Sequence, residues 1–291
     1  MAMTDSKDRA RVLVAGCGKL GGAIASLLTA DATVFGLRRR TNLLADDIRP
    51  VSADLTDPAS LTDSLPDDLD IVIYCLTPSR YDDQGYHDAY VRGLKNLLAA
   101  LSGQPVKRLI FISSTGVYSQ DDDSWVNESS PTQPARFSGE QILAGETLAL
   151  NSQFPATVIR FSGIYGPSRR RFLQEVIEGR MNPHSPAPYS NRIHEEDAAA
   201  AVHHLATRAL EGDTLADCYI GTDCEPVRLD DVVNWVREQI PCASPVEGAR
   251  TGGRAGSKRC CNQRLLDSGF TFRYPDFRSG YRAMIDETGQ Q

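Results

Sequence analysis

Residues 16–21 read Gly-Cys-Gly-Lys-Leu-Gly and stand between an apolar run, Val12–Ala15, and apolar residues at helical spacing: Leu20, Ala23, Ile24, Leu27 and Leu28. A strand, a glycine turn and a helix in that order suit a dinucleotide pyrophosphate. Gly16 permits the tight bend, Gly18 lets the backbone approach the phosphates, and Gly21 lets the helix pack close to the strand. The helix N-terminus offers unpaired N–H groups and a positive dipole end. Lys19 and Leu20 complete the turn as further cofactor contacts.

The next strand, ATVFGLRRR, decides which dinucleotide. NAD sites place an acid about 20 residues past the turn to hold the ribose hydroxyls. Here Arg38, Arg39 and Arg40 stand in its place. A guanidinium pairs with a 2′-phosphate and stacks on adenine, so the expected cofactor is NADP rather than NAD. The alternative is a solvated basic strand end. Asp54, in VSADLTDP, is placed to accept from the adenine amino group.

These side chains need a scaffold. Short apolar runs at Val12–Gly16, Thr33–Leu37, Ile71–Cys75, Arg108–Ser113 and Ala156–Phe161 predict strands. Helical spacing near 19–29, 58–65, 83–102 and 136–151 fills the gaps. Such alternation requires crossovers, hence a Rossmann-type, doubly wound α/β parallel sheet with helices on both faces. Residues 1–163 form the expected dinucleotide-binding domain, and 164–291 a smaller substrate lobe interleaved with it, with helices over 195–210 and 229–240. The glycine-rich stretch 245–257 reads as a mobile loop.

Composition narrows the partners. A formal charge of −7 disfavours nonspecific contact with nucleic acid or anionic membranes. The polar start MAMTDSKDRA and the short apolar runs predict a cytoplasmic protein with no membrane span. Seven cysteines without a Cys-x-x-Cys pair predict free thiols and no metal site. His194-Glu195-Glu196 lacks the second histidine of a zinc-protease motif, since position 198 is Ala.

Over nearly its whole length the chain resembles the short-chain dehydrogenase/reductase superfamily, of the extended, epimerase-like type. The resemblance rests on DLTDP at 54–58, DIVIYCLTPS at 70–79, YVRGLKNLLAAL at 90–101, RLIFISSTGVYS at 108–119, VIRFSGIYGP at 158–167 and NRIHEEDAAAAV at 191–202. It implies cofactor contacts from Leu76, Thr77 and Ser113, and a hydrogen bond from Ser114 to the reacting oxygen. The superfamily's chemistry uses a Tyr-x-x-x-Lys pair on the helix after that serine. In ARFSGEQILAGE one register puts Ser138 and Ile142 at those positions, the other Phe137 and Gln141. Neither supplies the pair. Tyr90 also replaces the usual asparagine.

The departures resemble an atypical subgroup of NAD(P)-dependent epimerase/dehydratase proteins that keeps the cofactor turn and the serine. A substitute acid would come from Tyr118, from Glu140, or from His194, which opens a helix and would titrate near neutrality. Tyr165 is expected in the pocket wall. Arg169, Arg170, Arg171 and Arg192 either receive an anionic substrate through forked pairing or form a solvated helix start; Lys258 and Arg259 would add to the same rim. Two functions follow. One is an NADP-dependent oxidoreductase or epimerase-like enzyme on a small, anionic or sugar-like substrate, paired as a symmetric homodimer through helices 83–102 and 136–151. The other is a non-catalytic NADP-binding redox sensor.

Overall fold

The structure is a computed structural model that describes residues 9–252 and 256–289. The polar start over residues 1–8 and residues 253–255 of the glycine-rich stretch lie outside the described residues. The chain divides into two units. Unit 1 comprises Met1–Ser113, Arg136–Ile159 and Ala199–Cys218; unit 2 comprises Ser114–Ala135, Arg160–Ala198 and Tyr219–Gln291.

The five predicted runs fold as β1 (Arg11–Ala15), β2 (Thr33–Arg38), β4 (Ile71–Tyr74), β5 (Arg108–Ser114) and β6 (Ala156–Phe161), and two strands outside those runs, β3 (Arg49–Ser52) and β7 (Cys218–Gly221), join them. They form one seven-stranded sheet in the order β7-β6-β5-β4-β1-β2-β3. Pairing is parallel from β3 through β2, β1 and β4 to β5, with Val12 opposite both Val34 and Ile71. This is the doubly wound Rossmann-type fold. Every residue of β4 and β6 is buried, as expected for strands covered on both faces. The unit 1 core gathers Leu13, Tyr74, Leu94, Leu97, Leu109 and Phe111. Unit 2 has its own core around Leu173, Val176, Val232, Val236, Phe277 and Met284.

Two predicted helices differ from expectation. The segment 58–65 is a short 3₁₀ turn, Pro58–Leu61, capped by Asp57, and Asp63 turns the chain away at φ 58°. The segment 83–102 splits into α-helices Asp83–His87 and Gly93–Ala100 around a π turn, Asp88–Arg92. The cause is a side chain. The buried Tyr74 hydroxyl donates to the Ala89 carbonyl at 2.5 Å. That carbonyl would otherwise accept from the Gly93 N–H, which bonds Asp88 O instead, one residue further back.

Helix Phe137–Leu150 lies against this region through Gly145. A Cβ there would sit 2.6 Å from Tyr90 O and 2.7 Å from Phe111 Cζ. At Gly22, in helix Lys19–Leu28, a Cβ would meet nothing within 4 Å. Gly145→Ala should therefore cost about 1–3 kcal/mol through overpacking. Gly22→Ala should stabilise the fold by about 0.8–1.0 kcal/mol through helix propensity. Guanidinium unfolding of both variants checks the pair, and equal effects of one sign would contradict this packing.

Candidate functional site: a glycine turn and two arginine-lined cavities

The first two glycines of the turn meet different constraints. Gly16, at φ +94°, ends β1; a Cβ there would lie 2.5 Å from Cys75 O. The N–H groups of Gly16 and Cys17 both donate to Leu37 O at 3.1 Å, joining the turn to β2. Gly21 touches Gly16 O, 2.5 Å from where its Cβ would be. Gly18 has open space, the nearest atom being 4.0 Å from its Cβ position. It precedes helix Lys19–Leu28, which carries no side-chain cap and no acid in its first turn. Lys19, Leu20 and Gly21 form that first turn. The uncapped N–H groups beside open space fit a phosphate.

Gly16, Gly18, Arg38, Arg39, Asp54, Leu76 and Thr77 line one cavity of about 260 Å³ in unit 1, together with Arg40. No acid occupies the end of β2. Asp54 accepts from the Thr56 N–H at 2.9 Å and hydroxyl at 2.8 Å, and lies 3.7 Å from Arg39. Burial pushes its carboxyl up, but these bonds and the cations Arg39 and Arg92 outweigh it and hold it below the ordinary range. The Arg39–Asp54 pair is exposed and so is weakly held, at roughly 0–1 kcal/mol. Arg39 can exchange it for a phosphate at little cost. Cys17, also in the lining, is a buried thiol pushed up to about 11 by burial against the opposing charge of Arg38, which makes it inert. The sequence reading passed over Ser79, Gly85, Asp88 and Ala89, which close the far wall. Their only signal is their place after β4.

At the end of β5, Ser113 is buried and donates to the buried Glu146. Ser114 accepts from the Gly116 N–H at 3.1 Å, capping the turn Thr115–Val117. A hydroxyl used as acceptor keeps its own proton for donation. Tyr118 differs: its hydroxyl donates to Asn127 O at 2.9 Å and accepts from Arg160 at 2.7 Å, with the ring 3 % exposed. On helix Phe137–Leu150, Phe137 packs edge-on against Tyr81 and Tyr86, Gln141 donates to Asp83, Ile142 is buried and Glu140 is exposed.

Unit 2 holds a second cavity, of about 550 Å³, lined by Tyr165, Arg169, Arg171, Arg192, Arg250 and Tyr281 among others. Arg171 and Arg250 share the carboxylate of Glu175 at 2.8 and 2.6 Å. Arg169 lies 3.8 Å from Glu195. Arg192 is itself buried, with its guanidinium 5.6–5.8 Å from the rings of Phe172, Phe277 and Tyr281. Four arginines against one carboxylate, Glu175, leave the lining positive. Arg250 and Tyr281 escaped the sequence reading. Gly280 is their neighbour's one signal: a Cβ there would collide with the Tyr165 hydroxyl at 2.0 Å.

His194 ends the strand Arg192–His194 and is 1 % exposed, its ring 4.0 Å from that of Tyr274. Burial pushes its imidazolium down, against Glu196, Asp197 and Glu195, so it titrates below rather than near neutrality. Its Nδ1 accepts from the Glu196 N–H at 3.3 Å. Lys258, expected on the arginine rim, is 2 % exposed, and Arg259 stacks on Trp125 and Tyr189 instead. The seven cysteines are free, and no metal-binding group occurs among the described residues. No helix among them is long and apolar enough to cross a membrane.

With this geometry the chain can be set beside known proteins. The pattern of the NAD dependent epimerase/dehydratase family matches residues 12–221. A solved structure from Methylobacillus flagellatus, provisionally named an NAD-dependent epimerase/dehydratase, is 34 % identical, with a TM-score of 0.81 over 96 % of this chain and 99 % of that one. Protein YeeZ of Escherichia coli K12 is 25 % identical over 282 residues, 91 % of this chain and 97 % of its own. MoeE5, solved in complex with UDP-glucuronic acid and NAD, is 22 % identical with a TM-score of 0.76, covering 97 % of this chain and 99 % of that one. At that identity the likeness is one of fold.

The different surroundings of Gly16 and Gly18 separate folding from binding. Gly18→Val should remain folded and lose dinucleotide, because its branches fill the open space. Gly16→Val should instead lower thermal stability, through a clash and a left-handed φ. Melting curves with calorimetric NADPH titrations check both, and a folded Gly18→Val protein with wild-type affinity would move the ligand elsewhere.

Proposed function

The chain belongs to the NAD dependent epimerase/dehydratase family, an atypical branch of the short-chain dehydrogenase/reductases, and from that premise we propose an NADP-dependent oxidoreductase or epimerase-like enzyme acting on a small, anionic, sugar-like substrate. The observation that carries the cofactor choice is the lining of the unit 1 cavity by Arg38, Arg39 and Arg40 with no acid at the end of β2. In this reading Gly16, Gly18 and the start of helix Lys19–Leu28 hold the pyrophosphate. Arg38 and Arg39 hold the 2′-phosphate, and Asp54 takes the adenine amino group. Leu76, Thr77 and Ser113 continue the contact surface. NADP supplies the hydride acceptor or donor when bound.

The substrate reading draws on the unit 2 cavity, where Arg169 and Arg192 would take the anionic group through forked pairing. MoeE5, of the same fold, is solved with UDP-glucuronic acid, which agrees with an acidic sugar ligand. Ser114 retains a proton to donate to the reacting oxygen. Tyr118, whose hydroxyl already donates and accepts, is assigned a structural part. His194 is assigned the second position as proton carrier: Nδ1 is an acceptor, so the neutral ring carries its proton on Nε2. A homodimer in the cytoplasm belongs to the same reading; the partly exposed Leu150 on helix Phe137–Leu150 supports the pairing face.

Calorimetry tests the cofactor. NADPH should bind at least about tenfold tighter than NADH, roughly 1.4 kcal/mol. Arg38→Ala with Arg39→Ala should erase most of that preference, and equal wild-type affinities would sink the NADP assignment. Turnover tests the chemistry. On a sugar-acid substrate, Ser114→Ala should reduce kcat by about 10²–10³, while Tyr118→Phe should leave the pH profile unchanged. Tight NADPH binding without turnover on a panel of acidic sugars would favour the redox-sensor reading instead.

A further inference from the structure

Behind the arginine cavity of unit 2 lies a buried carboxylate that the reaction as drawn above does not use. Asp223 follows β7 and is 1 % exposed. Its N–H donates to Arg192 O at 2.7 Å, which anchors it against the strand that carries Arg192. One carboxylate oxygen accepts a long bond from the Glu225 N–H, 3.4 Å. The other, Oδ2, has no partner among the described residues. Neither has Arg192 Nε, nor the Tyr165 hydroxyl, and Arg192 and Tyr165 line the cavity. Three polar atoms of unit 2 are thus buried without a partner, one on a carboxyl group, one on a guanidinium and one on a phenol. No ion pair within 4 Å joins Asp223 to Arg192, whose Nη2 donates to Ser190 Oγ at 2.7 Å and Nη1 to the Tyr281 hydroxyl at 3.5 Å, so Arg192 acts on Asp223 through its charge and not through a direct bond.

We infer that Asp223 is a positioning residue of the anion pocket: it is the built-in counter-charge of Arg192 while the pocket holds only solvent, and it takes up a proton when an oxyanion reaches Arg192. The ligand group is any compact, fully ionised oxyanion, such as a carboxylate or a phosphate ester. The inference rests on the reading of Arg192 as anion receptor.

The physics follows from what surrounds the carboxyl group. Burial pushes Asp223 well above the ordinary carboxylate range, and Arg192 is the principal group that opposes this. The other groups facing it are the phenols Tyr165 and Tyr281, the thiol Cys224, and the acids Glu225 and Asp276. Glu225 is paired with Arg278 at 2.6 Å. None of these others offers a positive charge. An anion seated on Arg192 cancels the one cation that keeps Asp223 ionised. The carboxylate is then both buried and uncompensated, and it neutralises by protonation from solvent. The complex holds one proton more than the separate partners, so affinity falls as pH rises between the two titration points, by up to about tenfold per pH unit. A neutral Asp223 no longer competes for the charge of Arg192, which then serves the ligand alone.

Sulfate is the probe, because it stays a dianion from about pH 5.5 to 9 and any proton taken up belongs to the protein. Calorimetric titrations in buffers of different ionisation enthalpy, across that range, give affinity and proton uptake together. The component lost in Arg192→Met is the one to read. Wild type should show Arg192-dependent sulfate binding that weakens with rising pH and takes up close to one proton at some pH in the range. Asp223→Asn should bind sulfate with a flat pH profile and no uptake. Arg192-dependent binding without proton uptake anywhere in the range, or with the same uptake in Asp223→Asn, overturns the part given to Asp223 and leaves the receptor reading standing. Sulfate binding that is absent, or unchanged in Arg192→Met, overturns the receptor reading and this inference with it. The wild-type uptake is decisive even where Asp223→Asn folds poorly.

Discussion

Backbone packed on backbone at Gly16 is the contact on which unit 1 depends. The end of β1 must turn within one residue, against the carbonyl of Cys75 at the end of β4, while its N–H groups reach Leu37 O on β2. Three strand ends meet there, and a side chain at residue 16 would separate them. Gly21 then fits against Gly16 O, which fixes where the helix starts. Because the helix start is fixed, its N-terminus, which has no side-chain cap, follows directly on the space that Gly18 leaves open. Because β2 is held to the turn, its basic end borders the same space. The pocket is therefore a consequence of the turn, and the positions proposed to contact the cofactor are those that the turn brings to one edge of the sheet.

The chain carries an excess of acids, yet both cavities are lined by arginines. The contrast between the two linings is one of exposure. Arg39 pairs with Asp54 at the surface, where solvent screens the pair and exchange is easy. Arg192 is buried near three rings, which shield its guanidinium from solvent, so its charge is less screened than that of Arg39. A screened cation gives a preference between two similar cofactors. A desolvated one gives an obligate partner, and the interior must provide a counter-charge when no ligand does. Asp223, on which Arg192 is the principal charge acting, is the residue proposed to meet that need, and its unpaired oxygen marks the cost.

How far the sequence could be read depended on the range of the interactions. The glycine spacing, the basic strand end and the strand–helix alternation are local, and they appear in the structure at nearly the residues expected; β6 begins at Ala156 and ends at Phe161 in both. The π turn at Asp88–Arg92 was not legible, because its cause is a hydroxyl on Tyr74, fifteen residues earlier in β4. The lining of the unit 2 cavity was half legible. Arg169 and Arg192 stood in recognisable segments, whereas Arg250 and Tyr281 come from stretches whose own patterns say only loop and helix. Asp223 carried no signal at all. An acid after a strand reads as a solvated turn, and only the packing around β7 makes it a buried charge.

In the proposed reading the site works without a tyrosine–lysine pair, and that has a bounded effect on what it can do. General acid catalysis contributes about 10²–10⁴ in rate. Holding two reactants in register contributes about 7–11 kcal/mol. A protein that keeps its cofactor turn and a serine with a proton to give retains the larger share and gives up the smaller. What remains must then come from donors already fixed in place. Ser114 is fixed by its cap on Gly116, which occupies one lone pair and leaves its proton to be donated. Tyr118 is fixed more firmly still, but its proton is spent on Asn127 O and its lone pair on Arg160. Drawing that proton away would leave a phenolate 3 % exposed beside a backbone carbonyl. Rigidity serves catalysis only where a bond is left unmade, and at the end of β5 that condition is met by the serine and not by the tyrosine.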